Sequence, residues 1–308
     1  MRLLCFFLAA LALSQATTLS CDAQTTAKPR TSAEPSESSS GFTEIESFQG
    51  TVNSSERLFK LDSTVGWDFN RHFGVFAGVP IYFVHVPATT ITNGTTTTSV
   101  PGASNNGLGN AYLGLAFRAP NPTLNYASEI TAGAPTGSTK KGLSSGRATV
   151  DWDNRIDHSF NRLTPFLDAG IGNTVPDSRL FTRAFTSLGF VAHLEEGAEW
   201  ELFKRVSVGG SAYEIVPAGN QKVFSRLVAK GGTAQGAGKH GRVFETAAAA
   251  SGNGLTRENG FSALVAFDPS PVWRLEVGYI RSVTFDIDSF AFNLRMNVGR
   301  LLRPKKSS

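Results

Sequence analysis

Ser289-Phe290-Ala291-Phe292-Asn293-Leu294-Arg295-Met296-Asn297-Val298-Gly299 alternates without a break. Phe290, Phe292, Leu294, Met296 and Val298 share one parity, and small or polar residues hold the other. Successive side chains of a strand point to opposite faces, so this segment has one apolar and one polar side, which helical spacing does not give. Upstream, Trp273, Leu275, Val277 and Tyr279 alternate with Arg274, Glu276 and Gly278, and Phe261, Ala263, Val265 and Phe267 alternate with Ser262 and Ala266. Such stretches recur between positions 55 and 299. They suit a transmembrane β-barrel or a secreted β-sandwich.

The 308 residues include 31 Gly and 23 Phe, with 18% charged residues and a mean hydropathy of -0.10. That is too polar for a helical membrane protein, but it fits a barrel that hides its polar half inside. The formal net charge of +4 comes with no basic stripe interleaved with aromatics, so no nucleic-acid partner is expected. Arg2, the apolar run 3–13 and the small residues after it have the layout of a signal peptide, too short to span a bilayer. Residues 1–23 are read as this signal. Cleavage after Ala23 removes Cys5 and Cys21 and leaves no disulfide framework, whereas lipidation at Cys21 is the alternative. Residues 24–40, rich in Thr, Ser, Pro and Glu, read as a disordered periplasmic tail.

Turn lengths choose between barrel and sandwich. Short connections at 70–72, 119–122, 157–161, 203–205 and 268–271 alternate with longer ones at 87–107, 135–146, 173–183, 217–258 and 282–288. Outer-membrane barrels sort their connections this way, with tight periplasmic turns and long external loops. Eleven clear strands are expected at 57–69, 73–86, 108–118, 123–134, 147–156, 162–172, 186–202, 206–216, 259–267, 272–281 and 289–299. A weaker one at 42–52 brings the number to twelve, with both ends on the periplasmic side. The expected fold is thus an antiparallel transmembrane β-barrel over 41–300, followed by a basic C-terminal tail at 301–308. Trp67, Trp152, Trp200 and Trp273 are all assigned to the short-turn rim, as a periplasmic aromatic girdle.

Several segments resemble the bacterial outer-membrane barrels named for the meta-pathway of phenol degradation. They are Val79-Pro80-Ile81-Tyr82-Phe83, Gly107-Leu108-Gly109-Asn110-Ala111-Tyr112-Leu113-Gly114-Leu115 and Ala134-Pro135-Thr136-Gly137. The resemblance implies a transporter or channel for small solutes, hydrophobic or aromatic ones among them. Asn110 stands where that family usually has Asp, so no role for a carboxylate is carried over. The chain also runs past Gly299 into a basic tail, whereas many such barrels end on an aromatic residue.

The polar parity marks the candidate lumen. It carries Lys60 and Asp62, Glu129, Asp151, Asp153 and Arg155, Asp168, Glu195, Glu199 and Glu201, Arg274 and Glu276, and Arg295. Twelve strands fall between barrels that side chains fill and open porins, so a narrow or obstructed passage is expected. Glu196 falls on the apolar parity with Leu194, Ala198 and Trp200, which a bulge near His193 would explain. The basic 217–258 loop can meet lipopolysaccharide phosphates, fold inward or remain mobile surface, and Val223, Phe224, Leu227 and Val228 suggest a short helix near 221–229.

No catalytic residue, cofactor or metal site is assigned. The five His are scattered, His158-Ser159 lies in a turn on the periplasmic side, and Asp151-x-Asp153 and Asp286-x-Asp288 offer no full oxygen cage. A closed structural or adhesive barrel is the alternative function, and an outer-membrane lipid-modifying enzyme a more distant one. The partners expected are outer-membrane lipid, lipopolysaccharide and a small solute, with the solute and the oligomeric state left open.

Overall fold

The computed structural model describes residues 41–301 apart from 55, 94–95, 101, 122 and 228–248. The signal segment, the 24–40 tail, both cysteines, the tail beyond Leu301 and four charges of the longest loop (Lys230, Lys239, Arg242 and Glu245) lie outside the described residues.

The strands in chain order are β1 (Gly41–Val52), β2 (Arg57–Asp68), β3 (Phe73–Val86), β4 (Thr89–Asn93), β5 (Thr96–Val100), β6 (Ala103–Leu108), β7 (Tyr112–Ala119), β8 (Asn125–Gly133) and β9 (Thr149–Asp157). They continue as β10 (Leu163–Gly172), β11 (Phe185–Leu188), β12 (Val191–Phe203), β13 (Val206–Pro217), β14 (Asn220–Ser225), β15 (Ala249–Asn253), β16 (Glu258–Ser270), β17 (Trp273–Ser282) and β18 (Ile287–Asn297). The ladder runs β1-β18-β17-β16-β13-β12-β10-β9-β8-β7-β3-β2 and returns to β1, every pair antiparallel. The barrel therefore closes at twelve strands, and closure removes the exposed edges a sheet would otherwise present.

β6 is not a thirteenth stave. Both β6 and β7 pair with β3, at Ile81–Val86 and Phe73–Gly78 respectively, so they form one line broken at 109–111. The break has a local cause. Pro80 on β3 has no N–H to donate, the Gly109 N–H still reaches the Pro80 carbonyl at 2.8 Å, and one extra residue bulges out opposite. The single strand expected at 108–118 is thus split.

The turn chemistry explains the sorted lengths. In the turn after β2, the Asn70 carboxamide oxygen accepts from the backbone of His72 (2.7 Å) and Phe73 (2.9 Å), closing it without further residues. The Asn121 side chain does the same for Thr123 at 2.9 Å. On the other rim the first and last connections, 53–56 and 283–286, are also short, and the long loops are confined to the middle of the chain.

Three further expectations are corrected. The strand expected at 186–202 is two: β11 joins a separate sheet, the backbone breaks at Gly189 with φ 142°, and β12 begins only at Val191. The helix expected near 221–229 is instead strand β14, held between β11 and β15. Its burial alternates, with Gln221, Val223 and Ser225 buried, so a period of two prevails over the helical reading of the apolar residues. At the C-terminus, β18 stops at Asn297 and the chain curls into α1 (Val298–Leu301), with Gly299 against the backbone of Phe42 and Glu44.

The outer wall carries the large apolar side chains, among them Val65, Leu115, Ile130, Val265, Val277 and Phe290, all exposed. Trp67, Trp200 and Trp273 stand near the short-turn ends of their strands and face outward. Trp152 departs from the expected girdle. It faces outward but pairs with Ile171, near the loop end of β10, and its indole N–H donates to Ser128 at 2.9 Å.

Glu196 faces outward as well. No bulge intervenes near His193: the register runs unbroken through Glu196↔Leu167 and Glu196↔Ala212, and shifts only between Glu201 and Phe203. An outward carboxylate in the middle of a strand is costly in hydrocarbon. Replacing Glu196 by Leu is therefore expected to stabilise the barrel in lipid vesicles by about 1–2 kcal/mol, less than the span measured for Lys or Arg at mid-membrane. Equilibrium urea unfolding reads this directly, and an unchanged or lower midpoint would mean that Glu196 is shielded from lipid.

Candidate functional site

The inner face is polar over most of its height, but its loop end is not. Leu58, Tyr82, Val84 and Val86 on the inner parity of β2 and β3 are buried under Leu143 and Leu227, brought in by the 134–148 loop and the segment after β14. At roughly 1.5–3 kcal/mol for each fully buried aliphatic side chain, this packing holds the segment against the wall more strongly than any single hydrogen bond. Polar ties add direction. The Asn105 side chain donates to the carbonyls of Lys141 (2.6 Å) and Arg226 (3.0 Å), and the Arg226 N–H donates to Ala184 at 2.9 Å. The start of the 217–258 loop thus folds inward.

A second segment, 173–184, reaches deeper. Leu180 packs on Ile280 and Ala291 of β17 and β18, with Phe181, Tyr213 and Leu264 around them. The Arg179 guanidinium bridges Glu199 (2.7 Å) and Glu276 (3.1 Å), while its carbonyl accepts from Gln49 (2.7 Å) and Asn293 (3.2 Å). Arg274 completes the cluster, meeting Glu276 at 2.8 Å, Glu199 at 3.1 Å and Asp268 at 3.2 Å. Glu276 is 1% exposed and so depends on these partners, because an unpaired charge at that depth costs several kcal/mol.

Above that cluster, Asp177 collects Lys60 at 3.3 Å, the Tyr82 hydroxyl at 3.1 Å, the Arg183 N–H at 2.9 Å and Arg226 at 3.5 Å. Arg226 also lies over the Tyr82 ring, 4.1 Å from its centre. Arg183 pairs with Glu258, which accepts from Tyr213 at 2.9 Å. At the rim, burial pushes the Glu56 carboxyl up to about 7, opposed by Asn53 and by the more distant Arg226 charge.

The segment leans on β1, β17 and β18 and leaves space beside it, toward β8, β9, β10, β12 and β13. The space there is a cavity of about 500 Å3, bounded on the wall by Glu129, Asp151, Asp153, Arg155, Asp168, Glu195, Glu199 and the rings of Phe166 and Tyr213, and on the segment by Arg179, Phe181 and Arg183. Arg155 pairs with Asp168 at 2.8 Å, and His193 meets Asp151 at 3.1 Å. Of the sequence candidates, Lys60, Asp62, Glu199, Arg274 and Glu276 belong to the network that holds the infolded segments. Glu129, Asp151, Asp153, Arg155 and Asp168 line the cavity, while Glu201 and Arg295 keep the inner parity nearer the short-turn end. Asp286 and Asp288 do not form a cation site of their own: both pair with Arg281.

Asp177, Arg179, Arg183 and Arg226 were not among the sequence candidates. One signal for two of them was present: Arg179-Leu180-Phe181-Thr182-Arg183 places two adjacent large apolar residues in a loop that, if simply solvated, has no use for them.

No family model matches the chain, and no curated protein matches it. Among solved structures, an outer membrane channel from Pseudomonas putida F1 is 9% identical with a TM-score of 0.50, covering 83% of this chain and 94% of that one. The KdgM porin is 7% identical at a TM-score of 0.46, and the NanC porin 6% identical at 0.45; each match covers 82% of this chain and 98% of the other. Identities this low speak for the fold alone. The chain has the architecture of an outer-membrane β-barrel.

Proposed function

We propose that this protein is an outer-membrane channel that passively admits small solutes through a partly obstructed lumen. The observation that carries the reading is a cavity of about 500 Å3 inside a closed wall whose inner face is charged. A barrel meant only as scaffold would gain more by filling that space with packed side chains. The resemblance to the phenol meta-pathway barrels supports aromatic solutes, and Phe166, Phe181 and Tyr213 give the lining three rings on which such a body can rest. The outer wall would face lipid and the loop rim lipopolysaccharide.

One observation favours a second reading, the closed structural or adhesive barrel: segments 173–184 and 220–227 both occupy the loop end. The full chain purified from outer membranes and placed in planar bilayers separates the two. Discrete current steps, together with swelling of vesicles in an aromatic solute, are expected. Silent bilayers and rigid vesicles, from protein that still migrates differently on a denaturing gel before and after boiling, would leave the closed barrel standing.

A further inference from the structure

We infer that the cavity in the lumen is a cation-preferring path, favouring solutes that carry an ammonium or similar positive group; this rests on the channel reading. The infolded segment decides which charges a solute meets. Arg179 is drawn onto Glu199 and Glu276, Arg183 onto Glu258, and Asp177 onto Lys60 of β2 and Arg226, so the charges brought in by the loops are matched where they land. On the β8–β9–β10–β12 side only Glu199 is met in this way among the described residues. Around the cavity Glu129, Asp151, Asp153, Asp168 and Glu195 outnumber the three bases of the lining, Arg155, Arg179 and Arg183, of which Arg179 and Arg183 are already held by Glu199, Glu276 and Glu258, with His193 beside Asp151 and Asp153. Glu195 accepts only a serine hydroxyl, Ser211 at 2.6 Å, and Glu129 has no ion pair among the described residues.

The scale makes this imbalance matter. A space of about 500 Å3 is roughly 10 Å across, close to the screening length of about 8 Å at physiological ionic strength, so an ion inside stays within the field of the acidic wall. A cation entering gains from that field, and a carboxylate is repelled. The rings on the lining add a surface for an aromatic body and attract its positive group. An aromatic amine therefore fits better than an aromatic acid of the same size.

Reversal potentials across a KCl gradient test this, with benzylammonium and benzoate as organic probes of matched shape. The native barrel is expected to favour potassium over chloride several-fold and to pass benzylammonium faster than benzoate. Glu129→Gln/Asp153→Asn/Glu195→Gln is expected to bring the potassium-to-chloride ratio close to one while retaining conductance. Where that triple variant does not assemble, Glu129→Gln, which breaks no ion pair, is expected to lower the ratio by itself. Conductance with anion preference, or with a ratio indifferent to these substitutions, overturns the inference and leaves the channel reading intact. A native barrel that conducts nothing overturns both.

Discussion

Replacing Arg179 by Ala is expected to raise single-channel conductance severalfold and to make the current noisy. The guanidinium is the deepest anchor of the 173–184 segment, tying it to Glu199 on β12 and Glu276 on β17. Without it, the tip at 178–180 keeps only the packing of Leu180 and the carbonyl bonds from Gln49 and Asn293, so the tip moves while Asp177, Thr182 and Arg183 still hold the rest of the segment. The substitution also costs stability. A fully buried ion pair cut on one side costs about 3–5 kcal/mol, but Arg179 is 33% exposed and Glu276 keeps Arg274 and Asn293, so about 1–3 kcal/mol is expected. The barrel itself survives, because none of its ladder bonds passes through Arg179. Conductance equal to that of the native protein would show that the segment lies outside the path. Under the closed-barrel reading the native protein is silent and only the Arg179→Ala variant conducts, so the pair of recordings distinguishes the two readings.

At Gly142, substitution by Ala is expected to unseat β14 from the mouth of the barrel. Gly142 has φ 66°, in the left-handed region where a Cβ is strained, and that Cβ would collide with the backbone of Ser225. Neither segment can give way cheaply. Leu143 is buried beside Gly142, the Thr186 hydroxyl donates to the Gly142 carbonyl at 3.0 Å, and Ser225 is fixed in the ladder with β11. Exposure of Arg226, buried in the native protein, gives the readout. Trypsin added to intact cells is expected to cut the Gly142→Ala protein after Arg226 much faster than the native one, with the twelve-stranded core still resistant. Equal cleavage rates would mean that the 134–148 loop yields instead.

Most of the wall was readable from parity. Phe290 to Met296 and Trp273 to Tyr279 sit as their alternation requires, because a strand that meets lipid on one side and water on the other has no freedom to place its side chains otherwise. Even Glu196, which broke the apolar pattern, kept its parity, since the unbroken ladder on both sides fixes its face. The lumen charges could likewise be named in advance as a set, because inner parity selects them. Their division into a matched half and an unmatched half could not. Glu199 and Glu129 look alike in the chain and both border the cavity, and only the arrival of Arg179 beside Glu199 sets the two apart.

The same limit applies to the loops. Short-range turn chemistry, such as the Asn70 and Asn121 carboxamides, is local and so is written in adjacent residues. The destination of 173–184 depends on contacts with Gln49, Glu276 and Asn293, far away in sequence, and no periodicity encodes such a meeting. By itself the sequence determined a closed wall with a polar interior and a sorted set of connections, because alternation and turn length are properties of neighbouring residues. Only the tertiary structure decided which loops enter the barrel, which acids they neutralise and where the cavity lies, because those outcomes follow from long-range packing and charge pairing across the lumen.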